Sequence, residues 1–259
     1  SVGACSMMGT ANTMASIVEA LRLSLPGCAT MLAVDSARIH LARKTGERIV
    51  KLVNENTKAS EFITQRSVRN AVRVFLALGG SSNALLHLLA IAREAGIDLD
   101  IDSFDKLSKD TPLLAKFKPS SEFNMFDFHK AGGVMALMKE MRKLLHTELP
   151  TVSGNTLSDQ LDDAENLRPE IIRPLSKPLS PEGGIAVLYG NLADKKAENL
   201  KLLSTNIDDC SPEIIGYVFD KLFDMGAKDV WVENINMKKN RPGFKLCVIC
   251  TQSIEDRIV

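Results

Sequence analysis

Cys5 stands among small residues in GACSMMGTANTM, just ahead of a segment whose Met14, Ile17, Val18 and Leu21 recur at helical spacing. A helix N-terminus carries partial positive charge from its unsatisfied backbone N–H groups, which favours a thiolate and hence metal ligation or nucleophilic chemistry. The competing reading is a small buried thiol that only packs. Ser81 and Ser82 follow one glycine pair and precede an apolar helix. Backbone amides there could hold a carboxylate or phosphate, or the segment is a turn between helices without a ligand. His129, beside Lys130 and ahead of a second glycine pair, is a better candidate for a substrate or anion site than His87, which lies on an apolar helix and reads as a core histidine. Asp208 and Asp209 could share a hard cation, and Lys238, Lys239 and Arg241 on a turn could meet phosphates. The plain reading of those five is a solvated acidic helix start and a basic hairpin tip. Cys247 and Cys250 form a CxxC, but KLCVIC alternates like a strand, which sends residues three apart to opposite faces and argues against chelation.

Composition narrows the classes these groups serve. The 259 residues are 45% hydrophobic, enough for a substantial core in one large domain or two smaller ones. Lys plus Arg equals Asp plus Glu at 32 each, so no net positive field gathers nucleic acid or an anionic membrane, and neither is expected as a partner. No run approaches the roughly 18 to 20 apolar residues of a spanning helix, and the N-terminus lacks the layout of a signal peptide; a cytoplasmic protein is expected. Cys5, Cys28, Cys210, Cys247 and Cys250 are odd in number and irregular in spacing, which suits thiols or ligands in a reducing compartment rather than a disulfide framework.

The elements that must position these groups are helical up to about residue 150. SLPG stops the first helix; AVDSARIHLARKTGERIVKLV is expected to be helical and broken near Gly46; SVRNAVRVFLAL ends at Gly79 and Gly80. The chain restarts with Ser81 or Ser82 as cap and Leu85, Leu86, Leu89 and Ala92 as an apolar stripe. FHKAGGVMALMKEMRKLL repeats the device, with Val134, Leu137, Met138 and Met141 inward. TVSGNTLSDQL predicts an extended piece, a turn, and a short helix opened by Thr156 with Asp159. The proline-rich RPEIIRPLSKPLSPEGG reads as a connector into a strand, IAVLYG. Beyond it, LKLLSTNID predicts a strand. A helix follows with Ser211 as cap, Pro212 at its first position, Gly226 after its end, and Ile214, Ile215, Val218, Phe219, Leu222 and Phe223 on one broad apolar face. DVWVENINM and FKLCVIC predict two strands around KKNRPG, completing a βαββ unit, half of a two-layer α+β sandwich.

From Gly3 to about Ala193 the sequence resembles the dihydroxy-acid and sugar-acid dehydratase family of iron-sulfur hydro-lyases, through GACSMMGTANTMAS, EALRLSLPGCA, GGSSNALLHLLAIA, DFHKAGGVMALMKE, TVSGNTL and IIRPLSKPLSPEGGIAVLYGNLA in the family's order. The resemblance implies dehydration of dihydroxy acids or aldonic acids to 2-keto acids, with a 2Fe-2S cluster and Mg2+. It places Cys5 as the last of three cluster-ligating cysteines. The family's other two cysteines fall upstream of this chain, and its magnesium ligands and catalytic base match no position in it. No catalytic residue is therefore assigned, and no hydro-lyase activity is expected from the chain alone.

From about Leu200 the sequence resembles instead the C-terminal domain of the nickel-insertion protein that completes the nickel-pincer cofactor, through NIDDCSPE and MKKNRPG. That resemblance implies CTP and a divalent metal, Ni2+ or Mn2+, as ligands; on physical grounds the carboxylates of Asp208 and Asp209 could hold such a cation and Lys238, Lys239 and Arg241 could meet the phosphates. The seam falls in ADKKAENL. The expected fold class is α/β, in three segments. Residues 1–165 are a partial dehydratase N-terminal domain, and 166–193 a connector with the first strand of its barrel domain. Residues 194–259 are an α+β, ferredoxin-like half unit. Three functions are open: a small-molecule hydroxy-acid dehydratase, a CTP-binding module for nickel delivery, or a fusion without function. Uncovered apolar faces are expected to make the chain a homo-oligomer or aggregation-prone.

Overall fold

The computed structural model of the chain describes residues 5–187, 200–207, 212–237, 241–251 and 258. The chain divides into two compact units, Ser1–Leu188 and Tyr189–Val259.

The first unit is helical: α1 (Thr10–Ala20), α2 (Ser36–Asn54), α3 (Gln65–Ala77), α4 (Asn83–Glu94), α5 (Ile101–Lys109), α6 (Met125–Lys130), α7 (Gly133–Glu140) and α8 (Leu157–Asp162). α3 is its centre, with Val68, Ala71, Val72, Val74, Phe75 and Leu76 all without exposed surface. Arg66, Arg69 and Arg73 keep one side of α3 toward solvent, and α1, α4, α5 and α7 pack against the rest. Each such large side chain contributes about 1.5–3 kcal/mol of burial. Thr64 and Ser67 open α3 with a reciprocal capping box. Gly80 lets α1 come close: a Cβ there would meet Thr13 Cγ2 at 2.6 Å.

Most helical expectations hold. Val134, Leu137, Met138 and Met141 are fully buried, and Thr156 with Asp159 opens α8. Three do not. α2 runs unbroken through Gly46, because Asp35 caps its start and nothing crowds the glycine. α4 places Leu85, Leu89 and Ala92 of the expected stripe against the core and adds Ala84 and Leu88, but Leu86 is 66% exposed. His87, expected in the core, is exposed. The strand expected over IAVLYG forms no ladder across 185–187; its other residues lie outside those described.

The second unit holds β1 (Leu200–Ile207), α9 (Pro212–Asp224), β2 (Asp229–Met237) and β3 (Arg241–Thr251), an antiparallel sheet ordered β1-β3-β2. Leu203, Val248 and Val230 align across the three strands, as do Thr205, Leu246 and Val232. Leu246, Val248 and Val230 join Leu222 and Ala227 in the core, with Val218 and Phe219 packed against them. α9 offers a narrower face than expected, since Ile214 is 54% exposed and Phe223 47%. Gly226 follows the helix at φ 101°, the left-handed conformation its position calls for.

Candidate functional site

α1 is the element that assembles a site. Its buried face carries Asn12, Thr13, Ser16 and Glu19 beside Ile17 and Ala20. Asn12 and Glu19 stand two turns apart and so share a side of the helix. Asn12 Nδ2 donates to the carbonyls of Cys5 and Met7 at 2.9 and 2.7 Å. Glu19, 2% exposed, accepts from the amides of Gly27 at 3.0 Å and Ala29 at 2.9 Å, the two neighbours of Cys28. One helix thereby holds both the Cys5 segment and the Cys28 loop. Burial pushes the Glu19 carboxyl up to about 7, against the opposing pull of the Ala29 and Gly27 amides.

Cys5 and Cys28, both free and half-buried, line one cavity of about 140 Å3 together with Asn12, Thr30, Arg38 and Asn124. A water needs roughly 10–15 Å3 of such space, so the cavity has room for a larger group. Arg38 brings a cation to the rim and is itself held by donation to the Met31 carbonyl at 2.8 Å. α6 closes another side: Asn124 caps it, and the Met125 amide donates to the Ser6 carbonyl at 3.0 Å.

The structure joins His129 to this cavity indirectly. Its Nδ1 lies 3.0 Å from Thr30 Oγ1. The glycine pair after it is required by geometry: Gly132 has φ 106°, and a Cβ on Gly133 would meet Thr30 Oγ1 at 2.9 Å. A second hollow of about 400 Å3, of mixed polar and apolar lining, is bounded by Pro26, Gly27, Met135, Asn155, Gln160 and Asp163 among others. Gln160 Nε2 donates to Thr151 Oγ1 and Ser153 Oγ at 3.0 Å each and to Asn155 Oδ1 at 3.1 Å, fixing the TVSGNT turn.

Ser81 and Ser82 line neither space. Ser82 occupies the N-cap of α4 without a side-chain cap bond, and Ser81 Oγ pairs with Thr10 Oγ1 at 3.2 Å, so the segment ties α4 to α1. Asp208, Asp209, Lys238 and Lys239 lie outside the described residues; Arg241 begins β3 opposite Met237. Cys247 and Cys250 are buried in β3, three residues apart along a continuous strand. Among the described residues no group of three or more His, Cys, Asp and Glu converges as a metal site, and no helix is long and apolar enough to cross a membrane. Sequence reasoning counted Cys28 among thiols or ligands but gave it no place in the cluster on motif grounds, and it did not single out Asn12, Glu19 or Thr30. The legible signal was two polar residues, seven apart, on a helix whose spacing suggested an apolar inner face.

Comparison with known proteins gives two family matches. Residues 1–160 match the model for the dihydroxy-acid/6-phosphogluconate dehydratase N-terminal region, and residues 134–259 match the model for the nickel insertion protein. The dihydroxy-acid dehydratase of Methanococcoides burtonii is 47% identical over 195 residues, covering 74% of this chain and 35% of that protein. That of Geobacter metallireducens is 47% identical over 196 residues, covering 76% and 35%. The Pyrococcus abyssi enzyme is 38% identical over 263 residues, covering 97% and 47%, so its alignment continues past the expected seam. The chain thus spans between about a third and about half of these relatives' length. A solved C-terminal domain of a cyclometallase involved in the synthesis of the NPN cofactor of lactate racemase, in its apo form, is 39% identical over 23% of this chain and 40% of that one. Its TM-score of 0.22 carries no statement about shared fold. The tail of this chain resembles the nickel insertion protein in sequence, and the chain as a whole, by the match of most of its length, belongs to the dihydroxy-acid/6-phosphogluconate dehydratase family.

Proposed function

We propose that the helical unit serves a hydro-lyase that converts dihydroxy acids or aldonic acids to 2-keto acids, with Cys5 as a ligand of its 2Fe-2S cluster. The observation that supports this is the family match over residues 1–160 together with the placement of Cys5 in a cavity larger than a water site. Loss of a 3-hydroxyl with the C2 proton needs a Lewis acid on the leaving oxygen and a base at carbon 2. A bound cluster supplies the former. The chain's own residues do the holding: Asn12 and Glu19 fix the two loops, Arg38 offers a cation to an anionic group, and Thr30 orients His129. The family's magnesium ligands and base have no counterpart in this sequence, so we expect no turnover from the chain alone.

The match over residues 134–259 favours a second reading, in which the tail binds CTP with Ni2+ or Mn2+. One preparation tests both. Anaerobically purified chain is analysed for iron and acid-labile sulfide, assayed for 2-keto acid, and titrated with CTP and Mn2+ by calorimetry. Cluster loading that disappears in Cys5→Ser supports the first reading, and loading indifferent to that change overturns it. Turnover of an aldonic acid overturns the expected inactivity. CTP binding supports the second reading, and its absence removes it.

A further inference from the structure

α2 has 19 residues, and Leu52 alone among them is buried. Its exposed apolar and small residues are ordered. Ile39, Ala42, Gly46, Ile49 and Val53 succeed one another at steps of three and four in alternation, the spacing by which one helix presents a seam to another. All five are exposed, and Lys44, Glu47 and Lys51 occupy the opposite side of the helix. Beside the seam, Ile49 and Val53 join Leu23, Leu25, Phe62 and Val152 in lining a mainly apolar groove of about 240 Å3, so the apolar surface continues from the helix onto the body of the unit.

The order of sizes along the seam selects the occupant. Ala42 and Gly46 are small, and Ile49 and Val53, one turn further on, are large. Two copies of α2 laid antiparallel about a two-fold axis between Glu47 and Arg48 set Ile49 of each against Gly46 of the other, and Val53 against Ala42. Each large side chain then enters the gap left by a small one, twice over by symmetry. A parallel pair would set Gly46 on Gly46 and leave a void. The gap at Gly46 is open in the chain itself, since no atom of the described residues lies within 4 Å of a Cβ built there. The same register brings Arg38 of one copy to within about 3 Å, measured along the axis, of Glu55 of the other, which places opposite charges together at both ends of the pair. Lys plus Arg equals Asp plus Glu at 32 each, so no net charge holds two copies apart. Two helices about 28 Å long cover less than the roughly 800 Å2 per partner of a standard complex, which makes the pair reversible rather than permanent.

We propose that α2 is the interface of a two-fold homodimer, paired antiparallel with α2 of a second copy of this chain through Ala42, Gly46, Ile49 and Val53.

The test is sedimentation equilibrium of the full reduced chain over a wide range of concentration, in the parent, Gly46→Leu, and Gly46→Leu combined with Ile49→Ala. The parent is expected to fit monomer and dimer alone. Gly46→Leu touches nothing within its own chain but fills the gap that receives Ile49, and is expected to weaken the dimer by at least about tenfold. The double variant exchanges large for small across the axis and is expected to recover most of that loss. General stickiness predicts the opposite sign, because Gly46→Leu adds apolar surface. Unchanged or tighter association of Gly46→Leu therefore overturns the proposal, as does a double variant no better than the single one. A parent that stays monomeric, or that grows beyond the dimer, also overturns it. Hydrogen exchange of the parent at two concentrations needs no variant: the amides of residues 39–53 are expected to exchange more slowly at the higher one, and equal exchange there while the chain dimerises overturns the assignment to α2.

Discussion

Glu19 shows how one side chain couples the site to solution conditions. Its carboxyl titrates near 7 in the folded chain rather than at its ordinary 4.5, because burial disfavours the anion more than two amide donors favour it. A raised folded value means that the folded chain holds its proton more tightly than the unfolded one. Its stabilising contribution is therefore complete below about pH 4.5, is lost as pH rises to about 7, and is constant above. The loss is on the order of 3 kcal/mol. Denaturant unfolding of the parent from pH 5 to 8 is expected to show that decline, and Glu19→Gln to flatten it. An unchanged slope in the variant would assign the decline to another group. At this scale the sequence singled out Cys5 and His129 as candidates, because a thiol before a helix and a histidine before paired glycines are unusual residue types in unusual places. It gave Cys28 and Thr30 no place beside them, since their neighbours across the cavity come from segments distant in the chain.

Glycines distinguish the helices as elements. Gly46 lies inside α2 with nothing near its missing Cβ, whereas Gly132 has φ 106° and its Cβ would overlap the Glu165 carbonyl and Ala136. Gly46→Ala is expected to stabilise the chain by about 0.5–1 kcal/mol through helix propensity. Gly132→Ala is expected to destabilise it by more than about 2 kcal/mol, since left-handed strain and a backbone collision add. Thermal unfolding of both variants checks the pair; similar shifts would mean that the left-handed turn is not needed. The helix boundaries were largely legible, because caps and glycines act locally. The inner face of α4 was legible only in part: Leu85, Leu89 and Ala92 pack inward as expected, but NALLHLLAIA is apolar on almost every side, so packing against α1 and α3 adds Ala84 and Leu88 and leaves Leu86 and His87 in solvent.

At the scale of the whole molecule, α2 stands out: Ile39 is 71% exposed and Val53 70%, with Ile49 and Val50 more than half exposed, and Leu52 is its sole buried residue. Such a face favours association. Light scattering is expected to show concentration-dependent self-association that Val50→Lys with Val53→Lys reduces; a monodisperse monomer at all concentrations would contradict it. By itself the sequence determined the two family likenesses, the helical character of the first unit and the strand-helix-strand-strand order of the second, because motifs, caps and periodicity are written in neighbouring residues. Only the tertiary structure decided which thiols share a cavity, that Leu86 of α4 stays in solvent, and that Ser81 braces α1 instead of offering a free helix end. Those outcomes depend on contacts between residues tens of positions apart, and such contacts are set by the packing around a central helix, α3, rather than by any local pattern.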